Sequence, residues 1–256
     1  MTQRFFVFLI IISTQACVQS RSAIYFNDAN DTSFVTRLNQ DESPIQPSDL
    51  LSIHISSLNQ DASSLFNSPN DMATVTTTVS GHQEAGGYLV DNHGNVQLPL
   101  LGSLHIAGLT KTVLRDTIQY LLKERQLLTD PVVTIRYLNY EVTVVGEVGK
   151  PTVINVPNEK ISLLKALGMA GDITIYGKKE QVLLIREQSG KRILKRLNLN
   201  TAGFIHSPYY YLQPGDIVYV EPNRHKIAAS SGFDQYLAIT LSGLSFFAII
   251  LTQVFK

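Results

Sequence analysis

Ile45-Gln-Pro-Ser-Asp-Leu-Leu-Ser-Ile-His54 opens on a turn and runs straight into a strand, and Leu212-Gln-Pro-Gly-Asp-Ile-Val-Tyr-Val-Glu221 repeats the pattern. In each, a proline fixes φ at the turn and a small residue follows it. The aspartate carboxylate can then accept backbone N–H bonds across the turn. Beyond it, Leu51, Ile53 and Ile55 alternate with polar neighbours, the spacing of a half-buried strand. The two stretches are one local solution used twice, too short a match to establish a duplication. Each opens or closes a separate unit, so the chain reads as α+β, with two small β-rich domains.

Downstream of the first turn, Ser56–Gly87 runs without clear apolar periodicity through Ser68-Pro-Asn-Asp71 and the threonines of 74–78, and is expected to be a long loop. Tyr88–Val90, the turn Asp91-Asn-His-Gly94, Val96–Leu98 and Leu100–Ile106 read as strands and turns. A helix follows: Thr110 is placed to cap it, and Val113, Leu114, Ile118, Leu121 and Leu122 recur on one face. Thr129-Asp130-Pro131 stops that helix, and Val132–Leu138 alternates as a strand.

The second unit begins at Glu141–Val145, turns at Gly146–Pro151 and returns through Thr152–Val156. Ile161, Leu163, Leu164 and Leu167 predict a short helix ended by Gly168 and Gly171. Val182–Glu187 and Arg192–Leu197 flank Gln188-Ser-Gly-Lys191 as a hairpin, and Tyr209–Leu212 leads into the second turn and the strand Ile217–Val220.

The ends differ from this body. Arg4, the apolar run Phe5–Ile12 and the small Ala16 before Cys17 form an export signal over residues 1–16, too short to span a bilayer. Ser13-Thr14-Gln15-Ala16-Cys17 is similar to a lipobox, with Thr14 and Gln15 departing from its usual residues; Cys17 is the expected lipidation site, on a tether over 17–43. A lone thiol in an oxidising compartment otherwise has no partner. Tyr236–Phe255 is 20 residues without a charge, closed by Lys256. As a helix it would be about 30 Å long and is expected to cross a membrane, after a linker over 223–235. Gln235, Ala238, Ser242, Ser245, Ile249 and Thr252 recur at alternating spacings of three and four. That small, mostly polar stripe suits helix packing or pore lining, interrupted at Ile249; a plain single-pass anchor is the simpler alternative.

Composition narrows the function. The chain has 21 basic and 21 acidic residues; losing Arg4 with the signal leaves 20 against 21, or −1, with no basic stripe for nucleic acid. The six histidines are scattered and have no cysteine partner, so no metal site or cofactor is expected. Gly86-Gly87 lacks a P-loop lysine, no G-x-S-x-G elbow exists, and paired carboxylates would have to come from different loops. No enzyme is expected.

From residue 44 to 222 the chain resembles the outer-membrane polysaccharide export family, the Wza-type capsule export lipoproteins, in the short form found in Bacteroidota. The resemblance rests on Gln46–Asp49, Tyr88–Gly102, Ile106–Thr110 and Asp130–Ile135 for a polysaccharide export domain over 44–138. Val144–Pro151, Ala166–Asp172 and Tyr209–Pro222 carry it for an SLBB domain, a β-grasp-like unit, over 139–222. It implies a non-catalytic, lipid-anchored subunit in the outer membrane with its body in the periplasm. Copies would form a homo-oligomer ring exporting capsular or extracellular polysaccharide. Long family members carry more SLBB-type domains; room for one here implies an inner-membrane polysaccharide copolymerase reaching up to meet the ring. The alternative is a membrane-anchored periplasmic glycan-binding or scaffold module that uses the SLBB domain.

Overall fold

The computed structural model describes residues 24–29, 42–71, 86–188, 190–230, 239–243, 245–246, 250 and 253. The chain folds into two mixed units, each a sheet with helices packed on it.

In the first unit, β1 (Leu50–Ser56) is the middle of a three-stranded antiparallel sheet, between β2 (Tyr88–Leu89) and β5 (Val132–Tyr137). Leu51 pairs with Tyr137, Ile53 with Ile135 and Ile55 with Val133. The alternation thus puts Leu51, Ile53 and Ile55 together on the core face, each at most 1% exposed. A hairpin of β3 (Asn95–Leu98) and β4 (Gly102–His105) lies between β2 and the helix α2 (Lys111–Glu124). Thr110 caps α2 as expected, its side chain accepting from Val113 N at 3.3 Å. Leu114, Ile118 and Leu122 are fully buried, whereas Val113 is 48% exposed and does not join the apolar face.

The expected loop over Ser56–Gly87 contains a helix, α1 (Gln60–Asp71). Asn59 starts it, its side chain accepting from Ala62 N at 3.1 Å. Among its residues whose side chains are described, Ser63, Phe66 and Asn67 are buried. Two of these three are polar, so hydrophobic periodicity had no signal to offer. Asn67 is buried because its amide replaces a strand: Oδ1 accepts from Ile55 N at 2.9 Å and Nδ2 donates to Ile55 O at 2.8 Å. Residues 72–85 lie outside the described residues.

The second unit is a five-stranded sheet of order β7-β6-β10-β8-β9, with β6 Glu141–Gly146, β7 Thr152–Asn155, β8 Val182–Gln188, β9 Lys191–Leu197 and β10 Ile217–Val220. β10 runs parallel to β6, and the other neighbours are antiparallel. Val142, Val144, Val182, Leu184, Val218 and Val220 are 0% exposed and form one core with Leu163, Ala166 and Leu167 of α3 (Leu163–Met169). Ser162 caps α3, accepting from Lys165 N at 3.2 Å. Gly168 lies inside α3, not after it; the cap is Ala170, and Gly171 follows at φ +78°.

At the ends, one expectation changes. The tether expected over 17–43 is not wholly free: Ile24–Ala29 docks on the second unit, with Phe26 N donating to Leu199 O at 3.3 Å and Asn27 N to Asn200 O at 2.7 Å. Asp28 accepts from Ala202 N at 2.6 Å, and Tyr25 OH bonds Asp172. At the other end, no helix among the described residues is long and apolar enough to cross a membrane. Past α4 (Arg224–Ser230), residues 239–243, 245–246, 250 and 253 are helical, and the rest of the expected span Tyr236–Phe255 lies outside the described residues.

Candidate functional site

The repeated turns are built alike. Asp49 N donates to Gln46 O at 3.2 Å, and Asp216 N to Gln213 O at 3.2 Å. The carboxylates reach back identically, Asp49 Oδ2 accepting from Gln46 N at 2.7 Å and Asp216 Oδ2 from Gln213 N at 2.7 Å. Proline precedes a positive φ in both, +72° at Ser48 and +77° at Gly215, the pattern of a type II turn. Each turn also leans on a neighbouring strand: Ser48 N donates to Val90 O and Val90 N to Asp49 O, while Gly215 N donates to Glu141 O and Thr143 N to Asp216 O, all at 2.9 Å. The carboxylates are structural, as their sequence context implied.

They differ in what faces them. Asp216, 1% exposed, receives Arg186 Nε at 2.9 Å on Oδ1 and Nη2 at 2.7 Å on Oδ2. Arg186 is itself 4% exposed and also donates to Tyr211 O at 3.1 Å. Burial raises the Asp216 carboxyl, with the guanidinium and the Gln213 N–H pulling against it. Among the described residues Asp49 has no such cation: burial pushes its carboxyl up to about 6, opposed by the Gln46 N–H. Sequence reading missed Arg186, although it stands in the core-face register of Val182 and Leu184. An arginine there signals a buried acid.

The two units are joined by specific bonds. Glu159 accepts from Tyr137 N at 2.6 Å and pairs with Lys111, both of the first unit. Gln46 Nε2 of the first unit donates to Glu187 O of the second at 2.9 Å. The Tyr137 and Tyr140 rings meet edge to face, their centroids 6.1 Å apart.

One face of the five-stranded sheet carries α3; the other is open. The register places Leu183 and Ile185 of β8, Leu194 of β9, Ile217 and Tyr219 of β10, Val145 of β6 and Val153 of β7 on that open face, together with the polar Thr143, Glu187, Arg192 and Arg196. Leu194 is 62% exposed, Val153 55% and Ile217 36%. A solvated face of such a sheet is ordinarily polar.

Of the residues singled out in the sequence, Cys17, Gln235, Ala238 and Thr252 lie outside the described residues. Ser242 and Ser245 are exposed on the C-terminal helical segments, Ser245 Oγ donating to Ser242 O at 2.8 Å. Among the described residues no group of three or more His, Cys, Asp or Glu side chains is placed to hold a metal ion.

Residues 38–138 match the family described as polysaccharide biosynthesis/export protein, and residues 140–220 match the SLBB domain. The EPS I polysaccharide export outer membrane protein EpsA of Ralstonia solanacearum is 30% identical over 146 residues, covering 56% of this chain and 38% of that protein. Its namesake from Ralstonia nicotianae is 32% identical over 145 residues, covering 55% of this chain and 37% of that protein. The matched region is thus well under half the length of these relatives. With export-protein relatives beside these two matches, residues 38–138 belong to the polysaccharide biosynthesis/export family and residues 140–220 form its accompanying SLBB domain.

Proposed function

We propose that copies of this chain assemble into a ring in the outer membrane that conducts capsular or extracellular polysaccharide outward, without making or breaking bonds. The observation that carries this reading is the open sheet face of the second unit, where Leu194, Val153 and Ile217 are exposed, in a chain whose relatives are named outer-membrane export proteins. Contact between copies removes such a face from water and gains about 25 cal/mol per Å² of apolar surface covered. The bonded joint between units makes each copy a stiff stave, so a contact in one layer aligns the other.

Lipidation at Cys17 supplies the anchor, and the charge-free C-terminal stretch, through Gln235, Ala238, Ser242, Ser245 and Thr252, packs between copies or lines the passage. Both assignments rest on sequence. An inner-membrane copolymerase completes the path of the polymer. Native mass spectrometry and electron microscopy of the detergent-extracted full-length chain test the reading: a closed ring is expected. A monomer with measurable glycan affinity would replace the conduit with a binding or scaffold module.

A further inference from the structure

β9 carries Lys191, Arg192, Lys195 and Arg196 within seven residues, in a chain of zero formal net charge. Pairing with β8 sorts these cations by side. Arg192 lies opposite Glu187 and Arg196 opposite Leu183, on the open face, and both arginines have acids: Glu187 at 3.8 Å and Glu221 at 2.6 Å. Lys191 lies opposite Gln188 and Lys195 opposite Leu184, on the other side of the sheet. Both lysines are exposed, and among the described residues neither has a carboxylate within ion-pair distance.

Aromatic rings adjoin this uncompensated charge. Lys195 Nζ stands 5.8 Å from the centre of the Tyr209 ring, which Arg186 flanks from 5.4 Å. Arg186 also bonds the carbonyl of Tyr211, and the Tyr211 ring has Lys160 over it at 4.8 Å. Tyr209 and Tyr211 are half-buried, so their rings are held while part of each stays open to solvent.

Cations on an edge strand also discourage strand addition, but Arg192 and Arg196 already serve that purpose, and it asks for no tyrosines beside Lys195. A chain of pyranose rings bearing carboxylates matches what is present. Its C–H faces lie on tyrosine, its hydroxyls reach polar tips, and its negative charges meet lysines set two strand repeats apart on the same side.

We propose that Lys191, Lys195, Tyr209, Tyr211 and Lys160 form a surface subsite for an anionic polysaccharide. This rests on the export reading and gives the transported polymer its charge class: the subsite holds a uronate-bearing segment weakly at the second unit.

The test uses the full-length chain in neutral detergent, titrated with polygalacturonate, dextran, polyglutamate and anionic phospholipid vesicles. Native mass spectrometry of the same sample records the oligomeric state. Polygalacturonate is expected to bind, more weakly as salt rises, and dextran not at all. Lys191→Gln with Lys195→Gln is expected to weaken binding at least about tenfold with unchanged thermal unfolding, since both side chains are exposed. Tyr209→Ala is expected to weaken polygalacturonate while sparing any residual polyglutamate binding. Equal binding by the double variant, equal affinity for polyglutamate, or tighter association with vesicles overturns the subsite. An oligomeric sample that binds no polygalacturonate also sinks the subsite and leaves the conduit standing. A monomer that binds it sinks the conduit and leaves the subsite.

Discussion

The turns at Asp49 and Asp216 share their hydrogen bonds to within 0.1 Å yet rest on opposite electrostatic footings. Asp216 is enclosed and answered by a bidentate arginine; Asp49 is partly enclosed and answered by a single N–H. The same backbone geometry therefore does not fix the energetic worth of the same residue. In the second unit the carboxylate is half of a pair whose other half cannot tolerate its loss. In the first, its charge is a burden carried for the sake of the turn.

Replacing each aspartate by asparagine keeps an acceptor for the turn and removes the charge, so the comparison predicts opposite signs. Asp216→Asn strands Arg186 in the core and should destabilise the second unit by about 3–5 kcal/mol in chemical denaturation. Asp49→Asn should stabilise the first unit by about 1–2 kcal/mol at pH 7.5. A loss at Asp49 equal to that at Asp216 would break the contrast.

The pH dependence sharpens it. Folded Asp49 holds its proton up to about 6 against an ordinary value of 3.8. The folded state therefore binds more protons in that window, and stability falls as pH rises through it. Unfolding of the wild type between pH 4 and pH 7 should carry this slope, and Asp49→Asn should flatten it.

The residue before each aspartate gives the smaller effects. Gly215→Ala meets no atom within 4 Å but must adopt φ +77°, and should cost about 1–2 kcal/mol. Ser48→Gly relieves a positive φ while loosening the unfolded chain, and should change stability by less than about 1 kcal/mol. Thermal unfolding of the two variants side by side checks both.

Much of this fold was legible because it is written in alternation. Leu51, Ile53 and Ile55 announced β1, Leu114, Ile118 and Leu122 announced α2, and the Pro-Asp turns were placed with their carboxylate roles. What stayed hidden is polar. α1 buries Ser63 and Asn67 beside Phe66, and Ile24–Ala29 docks through backbone bonds and a Tyr25–Asp172 contact that no periodicity encodes. The lysine–tyrosine surface was invisible for a third reason. Its residues come from three separate segments, and only strand register shows that Lys191 and Lys195 share a side that Arg192 and Arg196 do not.

Asn67 has a consequence for how the first unit opens. The amide proton of Ile55 is held by a side chain of α1 and not by another strand. Its exchange with solvent deuterium therefore clocks the lifting of a helix, independently of whether the β1–β5 ladder stays zipped. With Asn67→Ala that one proton should be lost early while those of the ladder persist. A single amide thereby becomes a reporter for the least obvious contact in the molecule.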